Sequence, residues 1–239
     1  MAGLFWNLGH VVGNNLRKGR WLFQAATGTQ ADAIRAEYDW GRQLGRDLER
    51  QMRPSRDAVV LRRVTSLGTR LAGRLTNRHR RFSFRVVYSD QVNAFALPGG
   101  FVFVTQPLLE RCAADEPALA FVLGHEMGHV VRGHVMERMA GEAVMRVASA
   151  RLPGGLVSTL LTRFVTTAYS RDHEIEADIF AVRLLCSAGL DAQGAIRTLR
   201  MLEALSSGDA SLLPPYLQTH PPAQERIAEV AAWLKRNGR

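Results

Sequence analysis

Residues 123–131 read Leu-Gly-His-Glu-Met-Gly-His-Val-Val, and this stretch decides how the rest of the 239-residue chain is interpreted. It contains the pattern His-Glu-x-x-His. In an α-helix with 3.6 residues per turn, His125 and His129 lie about 40° apart on one face, so both imidazoles can reach one metal ion. Glu126 lies about 100° round the helix from His125, near enough to contact a metal-bound water without being a ligand.

This pattern predicts the chemistry of a zinc peptidase. Zinc held by two histidines and one more protein ligand keeps a fourth position open for water, and it lowers the pKa of that water from about 15.7 to about 7. Glu126 is the predicted general base, because a carboxylate beside the water can accept its proton and pass it to the leaving amine. The flanking residues are largely apolar, so the helix is predicted to be buried. The alternative is a pair of buried histidines that are satisfied by hydrogen bonds without a metal.

The third metal ligand distinguishes the classes of zinc peptidase. A metzincin would have glycine at position 132 and histidine at position 135, where this chain has Arg132 and Val135. The other common solution is a glutamate on a second helix, and residues 170–178 (Ser-Arg-Asp-His-Glu-Ile-Glu-Ala-Asp) offer one. Glu174 and Asp178 are spaced i, i+4 and share a helix face. Glu174 is therefore the predicted third ligand, and Asp178 is the predicted partner of the outer nitrogen of a ligand histidine, His125 being the first choice.

On these motifs the chain resembles the HtpX and CAAX-prenyl-protease-like zinc metallopeptidases of the gluzincin group. Four pieces match in order and together span about residues 86 to 230: residues 92–100, residues 125–129, residues 170–178, and Thr219-His220-Pro221-Pro222 with Arg226. The resemblance implies zinc endopeptidase activity on an extended or unfolded polypeptide substrate. It also implies one zinc ion per chain, with His125, His129 and Glu174 as ligands and Glu126 as base.

The predicted fold class is α+β: a mainly helical zincin-type metallopeptidase domain with a small β-sheet bordering the active-site cleft. Alternating apolar and polar side chains predict a strand over residues 82–89, and strands over residues 94–97 and 101–105 flank a Pro-Gly-Gly turn. Helical spacing covers residues 30–53, about 57–77, 136–151, 191–205 and a terminal stretch to 236. In the family that the chain resembles, the edge strand of this hairpin pairs with extended substrate. The alternative is an ordinary core hairpin.

The net charge of +9 comes from the N-terminal part of the chain. Residues 1–85 hold 17 Lys/Arg against 6 Asp/Glu, whereas residues 86–239 hold 14 against 16. We therefore divide the chain into an Arg-rich N-terminal helical segment, residues 1–80, and a zinc metallopeptidase catalytic domain, residues 81–239. The basic and aromatic residues of 1–30 favour peripheral contact with an anionic membrane, and the alternatives are a solvated helical face or an arm packed on its own domain or on a second subunit. Nucleic acid is not favoured, because the basic turn at residues 78–81 is not a recognition motif by itself.

Neither a secretory signal nor a membrane-spanning helix is predicted from the sequence. The expected location is therefore cytoplasmic, with membrane contact limited to the surface. Cys112 and Cys186 are the two cysteines, and their distance in sequence does not indicate a disulfide framework or a structural zinc site.

His220 is the candidate residue whose role the sequence leaves open. It precedes Pro221, which restricts its backbone to extended conformations. It can fill the fourth zinc position and hold the enzyme idle, it can stabilise the oxyanion as a catalytic residue, or it can be structural. The rival to a peptidase is a basic lipid- or nucleic-acid-binding scaffold with a structural or silent zinc site. Glu126 argues against that rival, because a structural site needs no carboxylate beside an open metal position.

Overall fold

The computed structural model describes residues 29–112, 114–139, 168–206, 215–220 and 224–239. Its helices are α1 (Gln30–Gln51), α2 (Ala58–Ala72), α3 (Gln106–Arg111), α4 (Glu116–Arg132), α5 (Arg171–Ser187), α6 (Gln193–Ser206), α7 (Pro215–Thr219) and α8 (Gln224–Arg236). Its strands are β1 (Arg53–Pro54), β2 (Ser83–Tyr88), β3 (Ala94–Leu97) and β4 (Phe101–Thr105). The predicted α+β class, mainly helical with one small sheet, is confirmed.

The four strands form one sheet in the order β1-β2-β4-β3. Strands β2 and β4 are parallel, while β3 runs antiparallel to β4 through a short 3₁₀ turn in which Gly99 has a φ of 74°. The predicted hairpin is therefore confirmed, and β3 is the last strand in the order. Strand β1 was not predicted, because Arg53 and Pro54 end a helical pattern and pair with β2 only through tertiary contact.

Helices α1 and α2 each contribute one apolar face to the hydrophobic core, which also contains side chains of the sheet. The residues on these two faces are Leu44, Leu48, Val64, Leu67 and Leu71. Asp57 caps α2, and the helix ends before Gly73 rather than near residue 77. The domain boundary at residue 80 stays a prediction. So does the membrane contact of residues 1–30, since residues 1–28 lie outside the described part of the chain. Among the described residues, no helix combines the length and the apolar character that a bilayer crossing requires.

Helix α4 carries the His-Glu-x-x-His pattern and is buried from Ala118 to Val130. Asp115 caps its first turn by accepting a hydrogen bond from the backbone N–H of Ala118. Gly133 ends it with a φ of 86°, in the left-handed region that favours glycine. The chain then continues helically over residues 134–139, and the rest of the helix predicted for residues 136–151 lies outside the described residues.

Helices α4 and α5 approach each other closely because small residues face one another. A methyl group built on Gly128 would lie 3.1 Å from the Cα of Ala177, and one on Gly124 would lie 3.2 Å from the Cα of Ala181. These distances are tighter than ordinary van der Waals contacts, so side chains at either glycine would push the helices apart. This small-residue seam (Gly124, Gly128, Ala177, Ala181) lets the first turn of α5 reach the histidines of α4.

Candidate metal centre

Four buried side chains from three parts of the fold converge on one point. His125 and His129 come from α4, Glu174 comes from the first turn of α5, and His220 follows α7. One donor atom from each side chain lies within 4.8 Å of the others. The structure thus brings together the three predicted ligands and His220.

The spacing of these atoms fits a small tetrahedral ion. The Nε2 atoms of His125 and His129 are 3.0 Å apart, and His125 Nε2 is 3.3 Å from His220 Nδ1. Glu174 Oε1 lies 3.4 Å from His129 Nε2 and 2.9 Å from His220 Nδ1. Ligands about 2.0–2.1 Å from a tetrahedral zinc ion are about 3.3 Å from one another. These four distances are therefore close to those between the ligand atoms of such an ion.

The formal charges of the buried side chains also fit a divalent cation. Glu126, Glu174 and Asp178 carry three carboxylates, and Arg226 carries one guanidinium, so the sum is −2 with the histidines neutral. All four side chains are at most 1% exposed, and uncompensated charge in such a place is costly. A divalent ion would bring the sum to zero.

The outer nitrogen of His125 contacts Asp178. His125 Nδ1 lies 2.8 Å from Asp178 Oδ1. Arg226 donates from Nε to Asp178 Oδ2 at 2.7 Å and from Nη2 to Oδ1 at 2.8 Å, so Asp178 is an ionised acceptor. The proton of His125 must therefore be on Nδ1, which leaves the Nε2 lone pair directed at the ligand group.

The outer nitrogen of His129 faces a different group, namely His134. The two Nδ1 atoms are 3.1 Å apart, and His134 Nε2 lies 3.5 Å from Glu176 Oε2. If His129 offers its Nε2 lone pair to a metal, its Nδ1–H donates to His134, and His134 must carry its own proton on Nε2, facing Glu176. The side chain of Glu176 is 54% exposed but still contacts this histidine.

Burial and neighbouring charge shift the pKa of several groups in this centre. Burial opposes ionisation of Glu174, yet His220 and Arg226 hold its pKa well below its usual range. Burial also opposes ionisation of Asp178, and again Arg226 keeps the pKa low. Burial lowers the pKa of His129 well below its ordinary value, because the charged imidazole would lose its hydration. These shifts favour ionised Glu174 and Asp178 and a neutral His129.

Glu126 lies beside the ligand group but does not join it. Its side chain is fully buried, and neither oxygen has a hydrogen-bond partner in the described part of the chain. His220 Nε2 lies 3.5 Å from Glu126 Oε1. The hydroxyls of Tyr169 and Tyr216 are also buried without a hydrogen-bond partner among these residues. Buried polar atoms are seldom left without partners in native structures, so these atoms mark space for water or a ligand.

Comparison with known proteins assigns this geometry to a family. The sequence profile of peptidase family M48 matches residues 60–234, from α2 to α8. The chain belongs to peptidase family M48. Metalloprotease YcaL of Escherichia coli is 29% identical over 92% of this chain and 88% of its own length.

Two other M48 relatives are longer than the chain. Mitochondrial metalloendopeptidase OMA1 of Schizosaccharomyces pombe is 32% identical over 64% of this chain and 47% of its own length. Beta-barrel assembly-enhancing protease of Yersinia pestis is 32% identical over 84% of this chain and 45% of its own length. The chain therefore spans less than half of either protein. M48 peptidases depend on a metal, and the buried His/Glu/His group of this chain is one that could hold it.

Two residues of the M48 site were missed as functional candidates. Arg226 stood in one of the quoted motif pieces, but its spacing on α8 gave no reason to place it in the core. His134 follows His129 by five residues, which is off the helical face of the pair. The left-handed turn at Gly133 redirects the chain and returns His134 to His129.

Proposed function

We propose that this chain is a zinc-dependent endopeptidase that hydrolyses internal peptide bonds of extended or unfolded polypeptides. The buried group of His125, His129 and Glu174, with Glu126 unpartnered beside it, carries the proposal. Zinc bound there would polarise the scissile carbonyl and make water acidic enough to lose a proton near neutral pH.

Glu126 and Asp178 have separate roles in the proposed reaction. Glu126 accepts the proton of the attacking water and delivers it to the leaving amine, a role for which its two oxygens are free of other hydrogen bonds within the described residues. Asp178 keeps the proton of His125 on Nδ1, so that Nε2 remains a lone-pair donor. Burial of the centre excludes bulk water, which strengthens each of these interactions.

His220 supplies a removable fourth ligand in this proposal. Its Nδ1 lies among the ligand atoms, where an active site needs an open position. The backbone N–H of His220 donates to the carbonyl of Tyr216 at 2.7 Å, and the Thr219 carbonyl accepts from Tyr169 N–H. His220 follows the five-residue helix α7 and belongs to neither α4 nor α5. The arrangement corresponds to a resting state that substrate must displace.

The edge strand β3 supports an extended polypeptide as the substrate. Strand β3 ends the strand order and packs against α4, which carries the metal-binding histidines. Its side chains are buried, so recognition along this strand would use backbone hydrogen bonds and demand little of the substrate sequence. Two relatives are named metalloendopeptidases, which supports cleavage of internal bonds.

The test compares two carboxylate variants on an unfolded protein substrate. Glu126→Gln keeps the shape but removes the proton acceptor, so we expect retained zinc and a rate about 10²–10⁴-fold lower. Glu174→Gln removes a ligand, so we expect zinc itself to be lost. Zinc content is measured beside hydrolysis, with and without chelator. Normal hydrolysis by zinc-loaded Glu126→Gln would reject the base, and full zinc binding without hydrolysis in the parent would favour a silent site.

A further inference from the structure

Arg226 is one of the largest fully buried side chains of the described residues and the one guanidinium among those side chains. It lies on α8 and is 1% exposed. Its Nε and Nη2 donate to both oxygens of Asp178, and its Nη1 forms an ion pair with Glu174 Oε2 at 2.7 Å. One planar group thus joins the carboxylate that orients His125 to the carboxylate that is the predicted metal ligand.

The contact with Glu174 distinguishes its two oxygens. Oε2 pairs with Arg226 Nη1 at 2.7 Å and lies 3.7 Å from His125 Nε2, whereas Oε1 faces His129 Nε2 at 3.4 Å and His220 Nδ1 at 2.9 Å. A carboxylate can bind a metal through one oxygen or through both, and the choice changes the coordination number. An oxygen that is ion-paired with a guanidinium is the poorer of the two metal ligands.

We infer that Arg226 is a positioning residue that presents Glu174 to the metal through Oε1 alone and holds Asp178 against His125. This inference rests on the proposed metal centre. It makes the docking of α8 part of metal-site assembly, because the side chain that organises both carboxylates comes from that helix. It also favours a four-coordinate ion over larger ions that take bidentate carboxylates.

The geometry of the guanidinium matters as well as its charge. A lysine ammonium would carry the same charge, but it lacks the fixed planar fork that contacts Asp178 with two nitrogens and Glu174 with a third. Arg226→Lys is therefore expected to recover only part of what Arg226→Gln loses. A role limited to neutralising charge predicts full recovery by lysine.

The experiment measures metal rather than activity. Full-length parent, Arg226→Lys and Arg226→Gln are titrated with Zn²⁺ against a chromophoric chelator, and the Co²⁺-loaded proteins are compared by visible absorption, which reports coordination geometry. Arg236→Gln is the matched control, since Arg236 lies on the same helix and is exposed. We expect Arg226→Gln to bind Zn²⁺ about 10–100-fold more weakly, with Arg226→Lys in between and Arg236→Gln like the parent. We also expect the Co²⁺ spectrum of Arg226→Gln to shift toward higher coordination.

Each outcome decides a separate question. Zn²⁺ affinity within twofold of the parent and an unchanged Co²⁺ spectrum in Arg226→Gln would overturn the inference, and so would full recovery by Arg226→Lys. A parent that binds no Zn²⁺ would instead reject the proposed metal centre. If Arg226→Gln does not fold, the double variant Arg226→Gln/Asp178→Asn removes both members of the charge pair and is compared with Asp178→Asn alone in the same two measurements. A double variant that matches Asp178→Asn in Zn²⁺ affinity and Co²⁺ spectrum would overturn the inference.

Discussion

At the scale of single residues, the two histidines of α4 differ in the side chain that contacts the outer ring nitrogen, Nδ1. His125 faces the anionic Asp178, and His129 faces the imidazole of His134. An anion raises the basicity of a ligand histidine more than a neutral acceptor does. His134 in turn stacks on His173, with ring centroids 4.0 Å apart. The orientation of His129 therefore depends on a side chain that lies outside the His-Glu-x-x-His pattern.

His134→Ala is expected to weaken zinc binding by about 10–100-fold, because the Nδ1–H of buried His129 would lose its acceptor. His134→Asn keeps an acceptor and should recover part of the loss. The matched control is His173→Ala, which removes the stacking ring but no contact to a ligand, and it should change zinc affinity by less than about threefold. Chelator competition measures all three, and His134→Ala with parental zinc affinity would contradict the prediction.

His220→Ala tests whether His220 is a removable ligand. If its Nδ1 blocks the fourth position, the variant should hydrolyse substrate faster than the parent in the resting state and bind zinc somewhat more weakly. A rate about 10²-fold lower with zinc retained would instead assign it to oxyanion stabilisation. Initial rates, read beside zinc content, separate the two. A rate within twofold of the parent leaves a structural role.

At the scale of elements, the small-residue seam between α4 and α5 determines whether Glu174 can reach the histidines. Gly128→Ala places a methyl group 3.1 Å from the backbone of Ala177, so we expect a loss of about 1–3 kcal/mol in unfolding free energy and weaker zinc binding. Gly73→Ala is the control, because its methyl group would meet nothing closer than 3.4 Å and its φ is −62°. That change should be neutral or stabilising by about 0.4–1 kcal/mol.

Denaturant unfolding of the metal-free variants measures the first effect, and chelator competition measures the second. If Gly128→Ala were as stable as the parent and bound zinc equally well, the close approach of the helices would not be required for the site.

The elements also show which parts of the molecule local sequence could predict. The spacings of His125 with His129 and of Glu174 with Asp178 are i, i+4 patterns, which the helix geometry alone turns into shared faces. Strand β1 and the contact of Arg226 with two carboxylates depend on distant segments meeting, so no local period records them. An arginine on a terminal helix is ordinarily exposed, so the sequence alone gives Arg226 no role in a buried centre.

At the scale of the whole molecule, the metal centre ties together the helices that carry its side chains. Side chains of α4, α5 and α8 and of the residue after α7 meet in one buried group. A metal that binds only the folded state therefore stabilises the whole domain by mass action. In the metal-free protein, the free energy of unfolding depends on pH through the ionisation of the buried carboxylates and histidines.

The metal-free protein should accordingly lose stability on acidification. Burial raises both carboxyl pKa values, but His220 and Arg226 hold the folded-state pKa of Glu174 well below 4.5, and Arg226 and His125 hold that of Asp178 below 3.8. A lowered pKa in the folded state means that the unfolded chain binds more protons, so the stabilisation is complete above about pH 4.5 and is lost as the pH falls through the folded values. Burial lowers the pKa of His129 below 6.5 and adds a loss of the same sign that begins near that pH.

Asp178→Asn isolates one of these contributions. Denaturant unfolding with chelator, from about pH 7 to about pH 3, gives the free energy of unfolding against pH, and one proton corresponds to a slope of about 1.4 kcal/mol per pH unit. The variant cannot take up a proton at position 178, so its slope below about pH 4 should be smaller than that of the parent by up to this amount. Equal slopes in that range would mean that the pKa of Asp178 does not differ between the folded and unfolded chains, in conflict with its bonds to Arg226.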